Sequence, residues 1–319
     1  MKTKKLSITP EELNLVSLAK KYSDECKARS LLESLRWPNG VVCPHCQNHT
    51  EKAIYKIQPQ AGSRKPSRTG LYKCGACRKQ FTVTVGTIFE DSHIPISKWL
   101  MAIFIMCSSK KAVSSHQLHR MLGLTYKTSW FMAHRLRYAM GDDPTGGIKL
   151  NGVVEVDETF VGGKGEIHTK FARQTPVVAL IEQGGSMKAR VVPNVSQNNL
   201  GKVLNECVSK EAVICTDEHR AYKPIGKEFK EHYAVNHSKL EYAVNYDGVL
   251  ASTNHCESFF SLLKRGVHGS WHNVSREHLQ KYTNEFAFRW NNRKITDGER
   301  MVAAIPLMQG KRLTYRQAV

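Results

Sequence analysis

The sequence predicts an α/β layered core that follows a small cysteine-stapled ribbon and a basic helical region. Three observations carry that prediction. Two Cys-x-x-Cys knuckles stand early in the chain, at Cys43-Pro-His-Cys46 and Cys74-Gly-Ala-Cys77. A helix–glycine–helix pattern with several basic residues follows over 113–137. Beyond Gly152 the pattern changes to apolar, β-branched segments, two of which run into an aspartate, Asp157 and Asp217.

The chain has 319 residues, enough for two or three domains and at least one sizeable core. Its 47 Lys and Arg outnumber 28 Asp and Glu, a net +19. The excess is uneven: residues 1–150 hold 24 basic and 10 acidic residues (+14), and residues 151–319 hold 23 and 18 (+5). A basic front half suits a polyanion-binding surface whose affinity comes from counterion release. The balanced back half suits an enzyme-like core, although charge alone also fits a merely soluble basic protein.

The first residues, Met1 to Glu12, carry no apolar stretch behind their charges, so no secretory signal is expected. The most apolar run, Trp99 to Cys107, is too short to span a bilayer. The nine cysteines are therefore expected to be reduced in a cytosolic setting. Cys26, Cys107, Cys207, Cys215 and Cys256 lie mostly in apolar patterns and read as core thiols.

Residues 1–38 form the first segment. Thr9-Pro10-Glu11-Glu12 has the N-cap hydroxyl, first-turn proline and back-reaching glutamate of a helix start. Leu15, Leu18, Ala19 and Tyr22 continue as an apolar stripe, and a second helix over 24–35 ends at the turn Trp37-Pro38-Asn39-Gly40. Residues 39–90 read as a ribbon. Each knuckle aims two thiolates at one point, and four thiolates suit tetrahedral Zn²⁺ as a structural ion. The 27 residues between knuckles exceed ordinary ribbon spacing, and the basic stretch 58–70 reads as an exposed loop that accounts for the excess. His45 and His49 are possible substitute ligands, but the neighbouring cysteines fit better. Two redox pairs are the alternative, without the βαβ surroundings such pairs need.

Residues 91–146 read as helical. Ile96 to Cys107 is one apolar helix. Over 113–137, Gly123 sits in a turn, Thr125 caps the next helix, and Lys127, His134, Arg135 and Arg137 arm it. That is the form of a helix-turn-helix entering a major groove, with an ordinary αα-hairpin as the alternative. Residues 141–147 read as a linker. From 150 to 319, strands are expected at 153–156, 175–182 and 187–193, a helix at 198–208, a buried strand at 212–216, and helices at 256–264 and 276–291.

Asp157 and Asp217 at strand ends can converge across a sheet. Glu155 shares Asp157's face of the strand and Glu158 points the other way. An unpaired acid after an apolar strand is costly to bury, which implies a cation, although caps and salt bridges are the structural alternative. Downstream, Asn254, Glu257, Ser261 and Lys264 fall along one helical face. A carboxylate followed by a lysine suits a site holding a hard divalent ion and then a phosphate, with Arg265 as a further phosphate contact. A solvated Glu–Lys face is the alternative.

With these residues the chain resembles DDE-type transposases of bacterial insertion sequences, the zinc-ribbon-bearing ISXO-like family. The likeness runs over nearly the whole chain. It is carried by the segments beginning at Leu35, Gly86, Glu155, Thr216, Val235 and Thr253, and by Phe286-Ala-Phe-Arg-Trp-Asn-Asn-Arg293. It implies an RNase H-like mixed-sheet catalytic domain over 150–319, binding Mg²⁺ or Mn²⁺, that cleaves element ends and transfers them into target DNA. Asp157 and Asp217 correspond to the first two acids, with Asp157 expected between two ions.

The third acid stays open between Asn254 and Glu257, which follow Asp217 after 36 and 39 intervening residues. Lys264, seven residues beyond Glu257, favours Glu257. His237 matches a family position and is either near the site or a packed histidine. The partners implied are double-stranded DNA at terminal repeats and targets, and further copies of the chain on DNA, in a bacterial, nucleoid-associated cytoplasmic setting without a membrane. A DNA-binding regulator with an inactive core and a nuclease that cuts without joining are the rival readings.

Overall fold

The computed structural model describes residues 9–58, 69–141, 147–162, 174–236, 243–246 and 248–318. The chain forms two compact units, Met1–Met140 with Ile295–Val319, and Gly141–Lys294. Among the described residues no helix is long and apolar enough to cross a membrane.

In the first unit, Pro10–Glu12 makes a single 3-10 turn rather than a helix start, because Leu13 is extended and Asn14 begins anew. Helix α1 (Leu15–Tyr22) is capped by Asn14, whose side chain accepts from Ser17 N (2.9 Å). Helix α2 (Glu25–Arg36) is capped by Asp24, which accepts from Lys27 N (2.9 Å). Strands β1 (Ile54–Ile57), β2 (Leu71–Cys74) and β3 (Gln80–Phe81) form an antiparallel sheet in that order. Tyr72 and Phe81 stack at 5.6 Å, and Trp37 meets both edge-on. The expected exposed loop lies, for residues 59–68, outside the described residues.

Helices α3 (Ile96–Ser108), α4 (Ser115–Leu122) and α5 (Tyr126–Ala139) follow. α4 ends at Gly123 in the left-handed region (φ 58°), and Thr125 caps α5 by accepting from Thr128 N (3.2 Å). The helix–glycine turn–helix form is therefore present, but the expected basic face of α5 is not. Arg135 is 7 % exposed and donates to Leu313 O (3.1 Å), Ile88 O (2.8 Å) and Glu90 O (3.2 Å). Arg137 is fully buried and donates to Val113 O (3.2 Å). His134 is buried against Trp130. With Met132, Ala133, Leu136 and Ala139 also buried, the second half of α5 is a core helix. Both arginines donate to backbone carbonyls, the kind of partner a buried polar group requires. Both guanidiniums are held inside the first unit, contrary to the expected DNA contact. Lys127, in the first turn, is exposed.

The second unit opens with β4 (Val153–Gly162), β5 (Gln174–Glu182) and β6 (Met187–Val191), paired antiparallel in succession. Then come α6 (Gln197–Cys207), β7 (Val213–Thr216), α7 (Tyr222–Gly226), β8 (Glu231–Ala234), and the hairpin β9 (Ala243–Tyr246) and β10 (Val249–Ser252). α8 (Asn254–Gly266) passes into a π-helical turn, Val267–Trp271, before α9 (Arg276–Asn291). The five-stranded sheet runs β6-β5-β4-β7-β8, with β4–β7 and β7–β8 parallel.

Strand β4 is thus central. On one face Val154, Val156, Val178, Leu180 and Ile214 pack with Leu200 and Leu204 of α6 and with Tyr222. Glu155 and Asp157 alternate onto the opposite face, where α8 lies and buries Cys256, Phe259 and Leu263. α9 covers the β6 edge with side-chain amides. Gln280 accepts from Val191 N (2.7 Å) and donates to Ala189 O (3.1 Å), and Asn291 accepts from Met187 N (2.8 Å). These bonds satisfy edge groups that another strand would otherwise take.

The chain then returns to the first unit, although the sequence reading ran one domain from 150 to 319. Helix α10 (Asp297–Ala304) packs on α3, and a Cβ on its Gly298 would collide with Pro10 O. Ile88 N donates to Met308 O (3.2 Å) and Gly310 N to Gly86 O (2.9 Å). The last helix, α11 (Tyr315–Ala318), brings Tyr315 beneath Lys127 Nζ, 4.7 Å from the ring centre. Helical periodicity gives a buried face but not the neighbour that covers it.

Candidate active site and metal centre

The four knuckle cysteines meet. Their sulfurs all lie within 4.8 Å of one another, with Cys43–Cys77 and Cys46–Cys74 at 3.7 Å. A tetrahedral ion with Zn–S bonds of about 2.3 Å requires sulfurs about 3.8 Å apart, so the set fits structural Zn²⁺. The two knuckles share one backbone form. Cys43 N bonds Asn48 O (2.9 Å) and Cys74 N bonds Lys79 O (3.0 Å). The residue after each second cysteine, Gln47 (φ 58°) or Arg78 (φ 59°), is left-handed. His45 is not a ligand; its Nε2 lies 3.3 Å from Gln80 O.

In the second unit, an open cleft of about 600 Å³ is lined by Asp157, Glu158, Thr159 and, from α8 onward, Glu257, Phe260, Ser261, Lys264, Arg265 and His268. β4 presents Asp157, which accepts from Glu158 N (2.7 Å). Parallel pairing sets Glu155 beside Cys215, and Asp217, two residues further on, is near enough for its charge to raise the Asp157 carboxyl. Asp217 sits just past β7 and accepts from His219 N (3.0 Å).

Burial pushes the Asp157 carboxyl up to about 7; the hydrogen bond from Glu158 N opposes this, and the charges of Glu158, Asp217 and Glu257 add to it. Glu158 leaves β4 on the other face, as alternation requires, and accepts from the hydroxyl of buried Tyr222 (2.5 Å). Burial raises its carboxyl too, and burial followed by the Glu158 charge holds Tyr222 protonated.

Among the described residues, the four cysteines are the only group of three or more His, Cys, Asp or Glu whose ligand atoms all lie within 4.8 Å of one another. The carboxylates of Asp157, Asp217 and Glu257 do not all lie within that distance of one another. That spread is compatible with a pair of ions about 4 Å apart, since the outer two acids need not touch. The donor set is hard oxygen, and Asp157 is costly to ionise alone, so the residues fit Mg²⁺ or Mn²⁺.

Of the two candidates for the third acid, Glu257 lines the cleft and acts on Asp157, whereas Asn254 is exposed at the start of α8 and does not line it. Lys264 and Arg265 both line the cleft as exposed cations. His237 lies outside the described residues. Two features escaped the sequence reading. His268 is carried in the π-helical turn, eleven residues beyond Glu257 on the same face, and extending the α8 periodicity would have found it. The Tyr222–Glu158 bond joins the two acidic motifs and had no periodic signal.

Residues 149–291 match the ISXO2-like transposase domain, and residues 23–80 match the transposase zinc-ribbon domain. The chain thus carries a domain of the ISXO2-like transposases, following a transposase zinc ribbon. This transposase is 29 % identical over 291 residues to an uncharacterized protein in transposable element ISH50 of Halobacterium salinarum, covering 85 % of this chain and 92 % of that protein. It is also 29 % identical over 105 residues to an uncharacterized transposase-like protein of Haemophilus influenzae, covering 33 % of this chain and 80 % of that protein.

Proposed function

We propose that this transposase cuts DNA at the ends of its element and joins the freed ends to target DNA, with Asp157, Asp217 and Glu257 as the acids that hold divalent metal. The observation that carries the reading is the half-buried Asp157 carboxyl. It is pushed up to about 7 among Glu158, Asp217 and Glu257, in a cleft that also carries Lys264 and Arg265. Such a group favours a bound cation over a bare charge. When bound, Mg²⁺ or Mn²⁺ supplies Lewis acidity and charge neutralisation at a phosphodiester.

The chain's own residues do the rest. Lys264, Arg265 and His268 line the cleft across from the strand acids, where they hold the DNA backbone. Hydrolysis of one phosphodiester at the element end leaves a 3′-OH. That hydroxyl then attacks a target phosphodiester, forming one P–O bond as another breaks. The strand order around β4 supports an RNase H-like catalytic core. The α4–Gly123–α5 pair, with Lys127 exposed, supports a helix-turn-helix role in binding the element's terminal repeats. Two ends must be joined, so the working form is a multimer on DNA.

A strand-transfer assay on labelled end DNA tests this. Mg²⁺-dependent nicking followed by a joined product is expected, with both lost in Asp157→Asn. Nicking without joining means a nuclease, and binding without nicking means a regulator built on an inactive core.

A further inference from the structure

Glu155 is an acid at 0 % exposure, two residues before Asp157 on the same face of β4. Its Oε1 accepts from Ser252 Oγ (2.7 Å), His255 Nδ1 (2.8 Å) and Gln183 Nε2 (3.2 Å), and its Oε2 accepts from His255 N (2.9 Å). The donors come from three places: the turn after β5, the end of β10 and the first turn of α8. A second contact repeats the attachment one residue on. Cys256 Sγ, fully buried, donates to Glu155 O (3.5 Å) and reaches Ala179 O (3.7 Å), the residue paired with Asp157 across β4–β5. The next residue of α8 is Glu257.

We propose that Glu155 is a positioning residue: its buried carboxylate fixes the first turn of α8 against β4 and so sets Glu257 relative to Asp157. This rests on the reading of Asp157 and Glu257 as metal-holding acids. Two residues of strand cover about 7 Å and two residues of helix about 3 Å. No loop intervenes between the clamp and either acid, so displacement at 155 passes directly to both. The negative charge also lies at the positive end of α8, which favours it there. A buried ion held this way adds little net stability over an apolar filling. What it supplies is a defined direction for the helix that carries Glu257.

Glu155→Gln tests the idea in the full-length, zinc-loaded chain. The variant keeps the shape but turns one acceptor into a donor, which faces either His255 N–H or the three donors on Oε1. Mn²⁺ binding, read by electron paramagnetic resonance, is expected to weaken by about tenfold or more, the usual effect of losing a partner that orients a ligand. Zinc content and metal-free binding of end DNA should stay as in the wild type. Excess Mn²⁺ should restore nicking to Glu155→Gln but not to Asp157→Asn, which separates positioning from ligation. His255→Ala removes one donor from the exposed side and should weaken Mn²⁺ binding by a few-fold.

Wild-type Mn²⁺ affinity in a folded Glu155→Gln overturns the proposal. If that variant does not fold, wild-type affinity in both His255→Ala and Ser252→Ala overturns it instead. If Glu257→Gln binds Mn²⁺ as the wild type does, the reading of the site is what fails, and the clamp loses its purpose with it.

Discussion

Replacing Asp157 with asparagine should make the metal-free protein more stable above neutral pH. Asparagine has the shape of the protonated acid but cannot ionise. The folded carboxyl titrates at about 7 rather than 3.8. For an acid raised on folding, the cost is absent below the unfolded value and complete above the folded one. Stability is therefore lost as pH climbs from about 4 to about 7. The full penalty corresponds to about 4 kcal/mol at pH 8 and about 2 kcal/mol at pH 5.

Part of the carboxyl faces the open cleft, so a realistic gain for Asp157→Asn at pH 8 is about 2–4 kcal/mol, or roughly 5–10 °C for a unit of this size. The assay is calorimetry of the zinc-loaded chain at both pH values, with and without Mg²⁺. Mg²⁺ should raise the wild-type Tm at pH 8 more than at pH 5, and should raise the variant's far less. If Asp157→Asn lowers Tm at both pH values, or Mg²⁺ stabilises both proteins equally, the account of a charge awaiting a cation is wrong.

Metal analysis should find about one zinc per chain, lost in Cys74→Ser together with local folding on the order of 10 kcal/mol; full retention would refute the four-sulfur site. Glu257→Gln should abolish nicking while end-DNA binding stays near normal, and Asn254→Ala should hurt less, since a neutral amide does not offset a metal's charge. The opposite order of damage makes Asn254 the third ligand. Arg135→Ala should lower stability by about 3 kcal/mol, because it strands three carbonyls in the core, and thermal unfolding reads this directly. Unchanged Tm with weakened DNA binding would return Arg135 to the DNA surface. Lys127→Ala should instead leave Tm nearly unchanged and reduce the salt slope of end-DNA binding by about one; an unaltered slope removes Lys127 from the interface.

The sequence alone determined whatever depends on a few neighbouring residues. Cys43-x-x-Cys46 and Cys74-x-x-Cys77 fix their own knuckles, and Asp24, Thr125 and Gly123 end or begin helices through bonds to residues three or four away. β-branched runs set the strands, and alternation along β4 put Glu155 and Asp157 on one face and Glu158 on the other. The strands β8 and β9 carry polar residues that interrupt the kind of apolar run that marks β7, which is no longer than they are.

Tertiary structure alone decided which face each element buries and against what. Arg135 and Arg137 look like DNA contacts in sequence. They lie inside because residues 86–90 and 313, remote in the chain, bring carbonyls to Arg135, while Val113 takes Arg137. Residues 295–319 pack with the first unit because α10 matches α3. Glu155, read in sequence only as Asp157's neighbour on the strand, gathers its donors from Gln183, Ser252 and His255. Local propensity cannot encode such meetings, since they depend on chain closure over 24 to 178 residues.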